Sequence, residues 1–169
     1  TAAGRIVNEG VPVMAAGGVE SISLVQLGGH FNMFHATDEE LFARMPQLWM
    51  SMIETAEIVA ERYGISREAQ DAFALESQRR TADAQQAGRY DEEIVPLTTS
   101  WKMVDRETGA ESFVERTADK DECNRPDTTA EGLAALKPVF KDGQQVKVGK
   151  FITAGNASQL ADGASACVL

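Results

Sequence analysis

Cysteine and histidine are scarce, and no apolar run approaches the roughly 20 residues that a membrane-spanning helix needs. The two cysteines, Cys123 and Cys167, are too few for a disulfide framework. A reducing, cytoplasmic setting is therefore expected. The two histidines, His30 and His35, stand five apart with no carboxylate or thiolate at ligand spacing, so no metal site is expected. Positive charge is also short: 16 basic against 26 acidic side chains leave a net charge of −10. That balance argues against a nucleic-acid or anionic-membrane partner but permits a local basic pocket for a phosphorylated ligand. No G-x-G-x-x-G occurs, and Gly149-Lys150 is followed by Phe151 where a P-loop places Ser or Thr.

What remains is a chain of 169 residues, 43% hydrophobic, enough for one sizeable core. Thr1 to Asn8 reads as the tail of a helix stopped by Gly10, and Ala164 to Leu169 as a buried strand. Both ends look cut from a longer element, so the chain is expected to be a fragment. Val11 to Ala16, bounded by Gly17-Gly18, predicts a strand in a layered α/β core, with Pro12 near its start. Ser21 to Trp49 has no clean period and reads as an excursion toward a subunit interface. Thr55 is expected to cap a helix carrying Ala56, Val59, Ala60 and Tyr63 on one side and closed by Gly64; Ser66 caps a longer one that runs to about Ala87, with Gly88 as its stop. Leu97 to Glu115 reads as a hairpin or long loop around Glu107-Thr108-Gly109. Thr128-x-x-Glu131 predicts a capping box opening a short helix with Leu133 and Leu136, ended before Pro138, and Val146 to Thr153 a strand. The charge runs Asp91–Glu93 and Asp119–Glu122 read as solvated faces.

Chemistry concentrates in three segments. Thr153 to Ala164 packs Gly, Asn, Ser and Ala together, either a turn that lets a narrow ligand arm approach the backbone or a tight packing turn. Arg125 stands just before a helix start, placed to hold a phosphate or to pair with Asp127 on the surface. Phe140 either packs on a ligand or fills core. Neither cysteine has an obvious base: Cys123 lies in a charged loop, and Cys167 in a run expected to be buried and inert.

Read in order, these segments resemble the thiolases, the acetyl-CoA acetyltransferase and 3-ketoacyl-CoA thiolase family. The matching text is Val13 to Ser23; Thr55-Ala56-Glu57 with Tyr63 to Arg67; Gln70 to Ala74 with Ser77-Gln78; Gly88 to Pro96; Arg125 to Thr129; Leu136 to Phe140; and Thr153 to Ala164. It covers nearly the whole chain and favours the ligand reading of the small-residue turn.

The resemblance implies a thiolase-like layered αβαβα fold, of which this chain supplies part of the N-terminal half. Residues 1–20 and 146–169 would belong to the core, and 21–145 to a mostly helical loop domain that covers coenzyme A. Ser158, with Ala154 and Leu160, would line the pantetheine channel; Phe140 and Met52 would wall it; Arg125 would meet the adenosine-phosphate end. Residues 24 to 48 would correspond to the loop that often builds a tetramer, so a homodimer or homotetramer is expected.

The implied activity is acyl transfer in fatty acid metabolism: thiolytic cleavage of 3-ketoacyl-CoA, as in β-oxidation, or condensation of two acetyl-CoA. Coenzyme A and its esters would be the substrates, with no metal. The catalytic Cys, His and second Cys would lie outside this chain, so the fragment alone is expected to be inactive. Alternatives are a non-catalytic CoA-binding scaffold and a decarboxylating condensing enzyme of the same superfamily. Met50-Ser51-Met52-Ile53 stands where many relatives have Met-Gly, Gln159 replaces a frequent Gly, and Cys123 a small residue in some relatives. The first departure leaves acyl chain length open.

Overall fold

The structure, a computed structural model, describes residues 1–27, 32 and 34–169. Of the expected excursion, Gly28-Gly29, His30, Phe31 and Met33 lie outside the described residues. The chain forms two compact units, residues 1–50 with 158–169 and residues 51–157.

The first unit opens with α1 (Ala2–Glu9), closed by Gly10 at φ 69°. A left-handed residue ends a helix at least cost when it has no Cβ, and the sequence placed Gly10 correctly. Strand β1 (Ala15–Glu20) pairs antiparallel with β4 (Gly163–Val168), from Ala15 opposite Val168 to Glu20 opposite Gly163. Met14 and Leu169 exchange two further backbone bonds of 3.0 and 2.8 Å.

The expected strand over 11–16 thus begins later, and the glycines taken as breakers lie inside it. A Cβ on Gly17 would stand 2.9 Å from the Ser165 carbonyl oxygen, so this Gly permits close strand approach rather than a break. The segment 164–169, expected to be buried, is exposed along its length, Cys167 included. Beyond β1, the Asp162 carboxylate accepts from the Ser23 amide at 2.9 Å, which holds Asp162 below its ordinary pKa. Helix α2 (Glu39–Arg44) is capped by Asp38, whose carboxylate accepts from the Leu41 amide at 2.8 Å.

The second unit is built on α3 (Met52–Tyr63) and α4 (Arg67–Gln86). Ser51, not Thr55, caps α3: the Ser51 hydroxyl accepts from Glu54 N at 3.3 Å, while Thr55 Oγ1 donates to the Ser51 carbonyl inside the helix. Ser66 caps α4 as expected, accepting from Ala69 N. The hairpin of β2 (Leu97–Val104) and β3 (Glu111–Ala118) turns where the sequence placed it. Asp105 Oδ1 accepts from the Glu107 and Thr108 amides, and Gly109 adopts φ 71°. Helix α5 (Ala130–Ala134) starts one residue later than its capping-box reading. Thr129 Oγ1 accepts from Gly132 N at 3.0 Å, and Thr128 Oγ1 instead donates to the Arg125 carbonyl at 2.7 Å.

The buried face of α3 departs from its amphipathic reading. Val59 and Tyr63 are exposed, whereas Glu54 and Glu57 are buried beside Ala60. Two carboxylates can leave water only if their oxygens find donors. The donors are backbone amides of the segment after α5. Glu54 accepts from Gln144 N (3.0 Å), Gln145 N (2.6 Å) and Val146 N (3.0 Å). Glu57 accepts from Lys150 N (2.9 Å), Phe151 N (3.1 Å) and Ile152 N (2.8 Å).

This explains why 146–153, expected as a strand, forms an isolated bridge between Val148 and Lys141 instead. The amides of Val146, Lys150, Phe151 and Ile152 point at helix carboxylates, not at a neighbouring strand. Two glycines admit the approach: a Cβ on Gly143 would lie 2.5 Å from Glu54 Cδ, and one on Gly149 would lie 2.8 Å from Glu57 Oε1 and 3.1 Å from the Phe140 carbonyl oxygen.

Burial pushes the Glu54 carboxyl up, but the three amides and the Lys147 charge outweigh it and hold the group below its ordinary 4.5. A folded value below the unfolded one gives stability that is full above pH 4.5 and lost as pH falls through the lower folded value. Equilibrium urea unfolding at about pH 6 and about pH 3 should therefore show a wild-type loss that is smaller in Glu54→Gln, itself weaker at pH 6, the remainder coming from other carboxylates held low, Glu76 and Asp105 among them. Gly149→Ala should destabilise by about 1–3 kcal/mol, since neither the carboxylate nor the Phe140 backbone can retreat. The same urea titration reads it as a lower midpoint with unchanged slope.

Candidate functional site

Pairings within the second unit bring two arms of one loop together. Val139 N donates to the Ile152 carbonyl at 3.0 Å and Gly149 N to the Phe140 carbonyl at 2.9 Å. Phe140 is half-buried against Gly143 and Gly149. Ala154 follows the Ile152 pairing and is exposed.

Between them sits Thr153, fully buried, whose hydroxyl accepts from Gly155 N (3.2 Å) and Asn156 N (3.3 Å). Asn156 satisfies both ends of its amide: Oδ1 accepts from Thr153 N at 2.8 Å, while Nδ2 donates to Asp71 Oδ1 and to the Phe151 carbonyl, each at 2.9 Å. Asp71, buried on α4, is also held by Arg67, whose Nε meets both carboxylate oxygens at 2.8 and 2.9 Å. The Arg67 guanidinium reaches on to the Leu133 carbonyl of α5 at 2.5 Å. Leu133 and Leu136 close on Gly155, where a Cβ would meet their methyl carbons at 2.5 and 2.6 Å.

The turn 153–157 is thus fastened from inside by side chains of α4 and α5, and its exposed outer edge carries Ala154. The packing turn that the sequence offered as one reading is met on the inner side of residues 153–157. The fastening residues Glu57, Arg67 and Asp71 lie in the segments that carry the resemblance, but were assigned no role from sequence. Their signal lay in a segment with too few strand partners for its amides, which had to be satisfied by side chains.

Arg125 lies before α5, but that helix is a single short turn whose N-terminal amide is already capped by Thr129. The orphan-amide part of the phosphate reading therefore carries little, and the guanidinium remains. Arg125 is exposed, and among the described residues its side chain has no ion pair with Asp127. Met52 is 83% exposed in the first turn of α3. Ser158 and Leu160 belong to the other unit and are exposed. Among the described residues no cluster of three His, Cys, Asp or Glu could hold a metal ion, and no helix is long and apolar enough to cross a membrane.

The model of the thiolase N-terminal domain matches residues 1–169. The chain is 45% identical over 167 residues to the peroxisomal 3-ketoacyl-CoA thiolase B of Mus musculus, covering 99% of this chain and 36% of that protein. Among solved structures, the dimeric peroxisomal thiolase of Saccharomyces cerevisiae superposes with a TM-score of 0.72 at 28% identity, over 98% of this chain and 38% of that one. Human mitochondrial 3-ketoacyl-CoA thiolase in complex with CoA gives 0.63 at 33% identity, over 97% and 39%. The chain therefore spans between a third and two fifths of the length of these relatives.

Asn156→Asp should remove two donated hydrogen bonds and set a second carboxylate beside Asp71. A loss of about 2 kcal/mol or more is expected in denaturant unfolding of the full-length protein, partly restored by adding Asp71→Asn.

Proposed function

The chain belongs to the thiolase family, and we propose that the full-length protein is a CoA-dependent acyltransferase that cleaves 3-ketoacyl-CoA with free CoA or condenses two acetyl-CoA units. This segment supplies the CoA-binding face of its N-terminal half. The observation that carries the reading is the turn 153–157, held by Asp71, Thr153 and Asn156 so that its outer edge faces away from the packing.

In this reading Ser158, Ala154 and Leu160 line the pantetheine channel, Phe140 and Met52 wall it, and Arg125 meets the phosphorylated adenosine. Each residue type suits its part. Small residues let the thin pantetheine arm run close to main chain, apolar side chains exclude water, and a guanidinium offers paired donors to phosphate oxygens. The nucleophilic Cys and its acid–base partners come from outside this segment, which holds and orients the thioester.

Residues 1–20 and 146–169 form part of a layered αβαβα core, with 21–145 as the loop domain. The assembled enzyme is a homodimer or homotetramer, as the Saccharomyces cerevisiae thiolase is dimeric. A cytoplasmic setting is retained in the proposal beside relatives named for the peroxisome and the mitochondrion.

Acetoacetyl-CoA thiolysis by the full-length enzyme tests the reading. Ser158→Trp should raise KM for CoA about tenfold or more, equivalent to about 1.4 kcal/mol of lost binding. An unchanged KM would remove Ser158 from the channel.

A further inference from the structure

Arg125 is fixed to an unusual degree for an exposed residue on a loop. Pro126 follows it and restricts its backbone to extended conformations. Its carbonyl accepts from both Thr128 N (3.1 Å) and Thr128 Oγ1 (2.7 Å), closing a tight turn. Its amide donates to Gln78 Oε1, on α4, at 2.8 Å. The preceding residue doubles that fastening: Asn124 Nδ2 donates to the Gln78 carbonyl and to Gln78 Oε1, each at 2.9 Å. All of the anchoring is spent on the main chain, leaving the guanidinium free of ion pairs among the described residues. Nearby Arg79 and Arg80, by contrast, are neutralised by Glu76 and Asp83.

The element that anchors Arg125 also anchors the small-residue turn. Asp71 and Gln78 are seven residues apart on α4, which puts them on one face about 10 Å apart along the axis. One rigid helix therefore holds the turn 153–157 through Asp71 and the Arg125 segment through Gln78.

We infer that Gln78, with Asn124, is a positioning residue that fixes Arg125 for the phosphate groups at the adenosine end of coenzyme A. The inference rests on the Arg125 assignment under the proposed function and adds to it a residue that touches no substrate. A cation held in advance loses little freedom when the phosphate arrives; a cation on a loose loop must be ordered at the expense of affinity. Gln78 therefore bears on how well the enzyme tells CoA from a thiol lacking phosphorylated adenosine, and not on acyl transfer itself.

The test is thiolysis by the full-length enzyme with two accepting thiols, CoA and pantetheine, which lacks the phosphorylated adenosine. Gln78→Met keeps length and helix propensity but removes the strong acceptor of both the Arg125 amide and Asn124 Nδ2, and Asn124→Ala removes the two bonds that Asn124 adds while leaving that of the Arg125 amide. Each should raise KM for CoA about fivefold, with kcat and the kcat/KM for pantetheine within about twofold of wild type. Equal losses with both thiols would mark a general structural role and overturn the inference; so would unchanged CoA kinetics.

Arg125→Ala separates this failure from failure of the underlying reading. A split between the thiols in Arg125→Ala without one in Gln78→Met and Asn124→Ala overturns the positioning role alone. No split in Arg125→Ala removes Arg125 from the site, and the inference with it.

Discussion

Six backbone amides delivered to two buried carboxylates are the constraint around which residues 51–157 are organised. Few hydrophobic side chains are buried in this chain; Ala60, Leu133 and Ile152 are the core among the described residues. An irregular segment of this length would leave its N–H groups unsatisfied against a purely apolar helix. Glu54 and Glu57, one turn apart on α3, turn that liability into the attachment. Charge-assisted bonds are stronger than neutral ones, and three to each carboxylate satisfy most of its acceptor capacity. The loop is thereby held in a shape that no strand ladder would give it.

From that attachment follows the geometry of the candidate site. Glu57 fixes residues 150–152, and the next residues run straight into the Thr153–Asn156 turn, which α4 takes over through Asp71. Further along the same helix Gln78 takes up Arg125. Ala154 and Arg125, two of the exposed residues proposed to meet coenzyme A, are thus carried by main chain fixed from beneath, a division of labour in which rigid elements position and loops contact.

Local signals in the sequence survived well where the physics is local. Gly10, Gly64 and Ser66 mark helix ends because left-handed backbone and hydroxyl caps depend on neighbouring residues only, and the Glu107–Gly109 turn was legible for the same reason. What failed depended on partners far along the chain. Nothing in 146–153 says that its amides meet Glu54 and Glu57 about 90 residues away, so an apolar alternation there reads as strand. Glu54 and Glu57 themselves look like ordinary surface carboxylates, and Gly17-Gly18 like a stop, because the Ser165 carbonyl that demands Gly17 is remote. The Thr153–Ala164 turn was recognised as special from composition, and its fastening to Asp71 was not. The residues assigned to coenzyme A came from family resemblance, and the comparisons bear out the family while leaving those assignments as proposals.

Strand β1 finds β4 only after the whole intervening stretch has been made, since residue 20 pairs with residue 163. During synthesis, at about 5–20 residues per second, the edge that β4 will occupy stays open for several seconds or longer. Closing so long a loop is entropically cheaper once its interior has already collapsed. The order of events during translation then favours the clasped helical unit first and the ladder last, and the glycines and small side chains of β1 leave that waiting edge a poor template for aggregation.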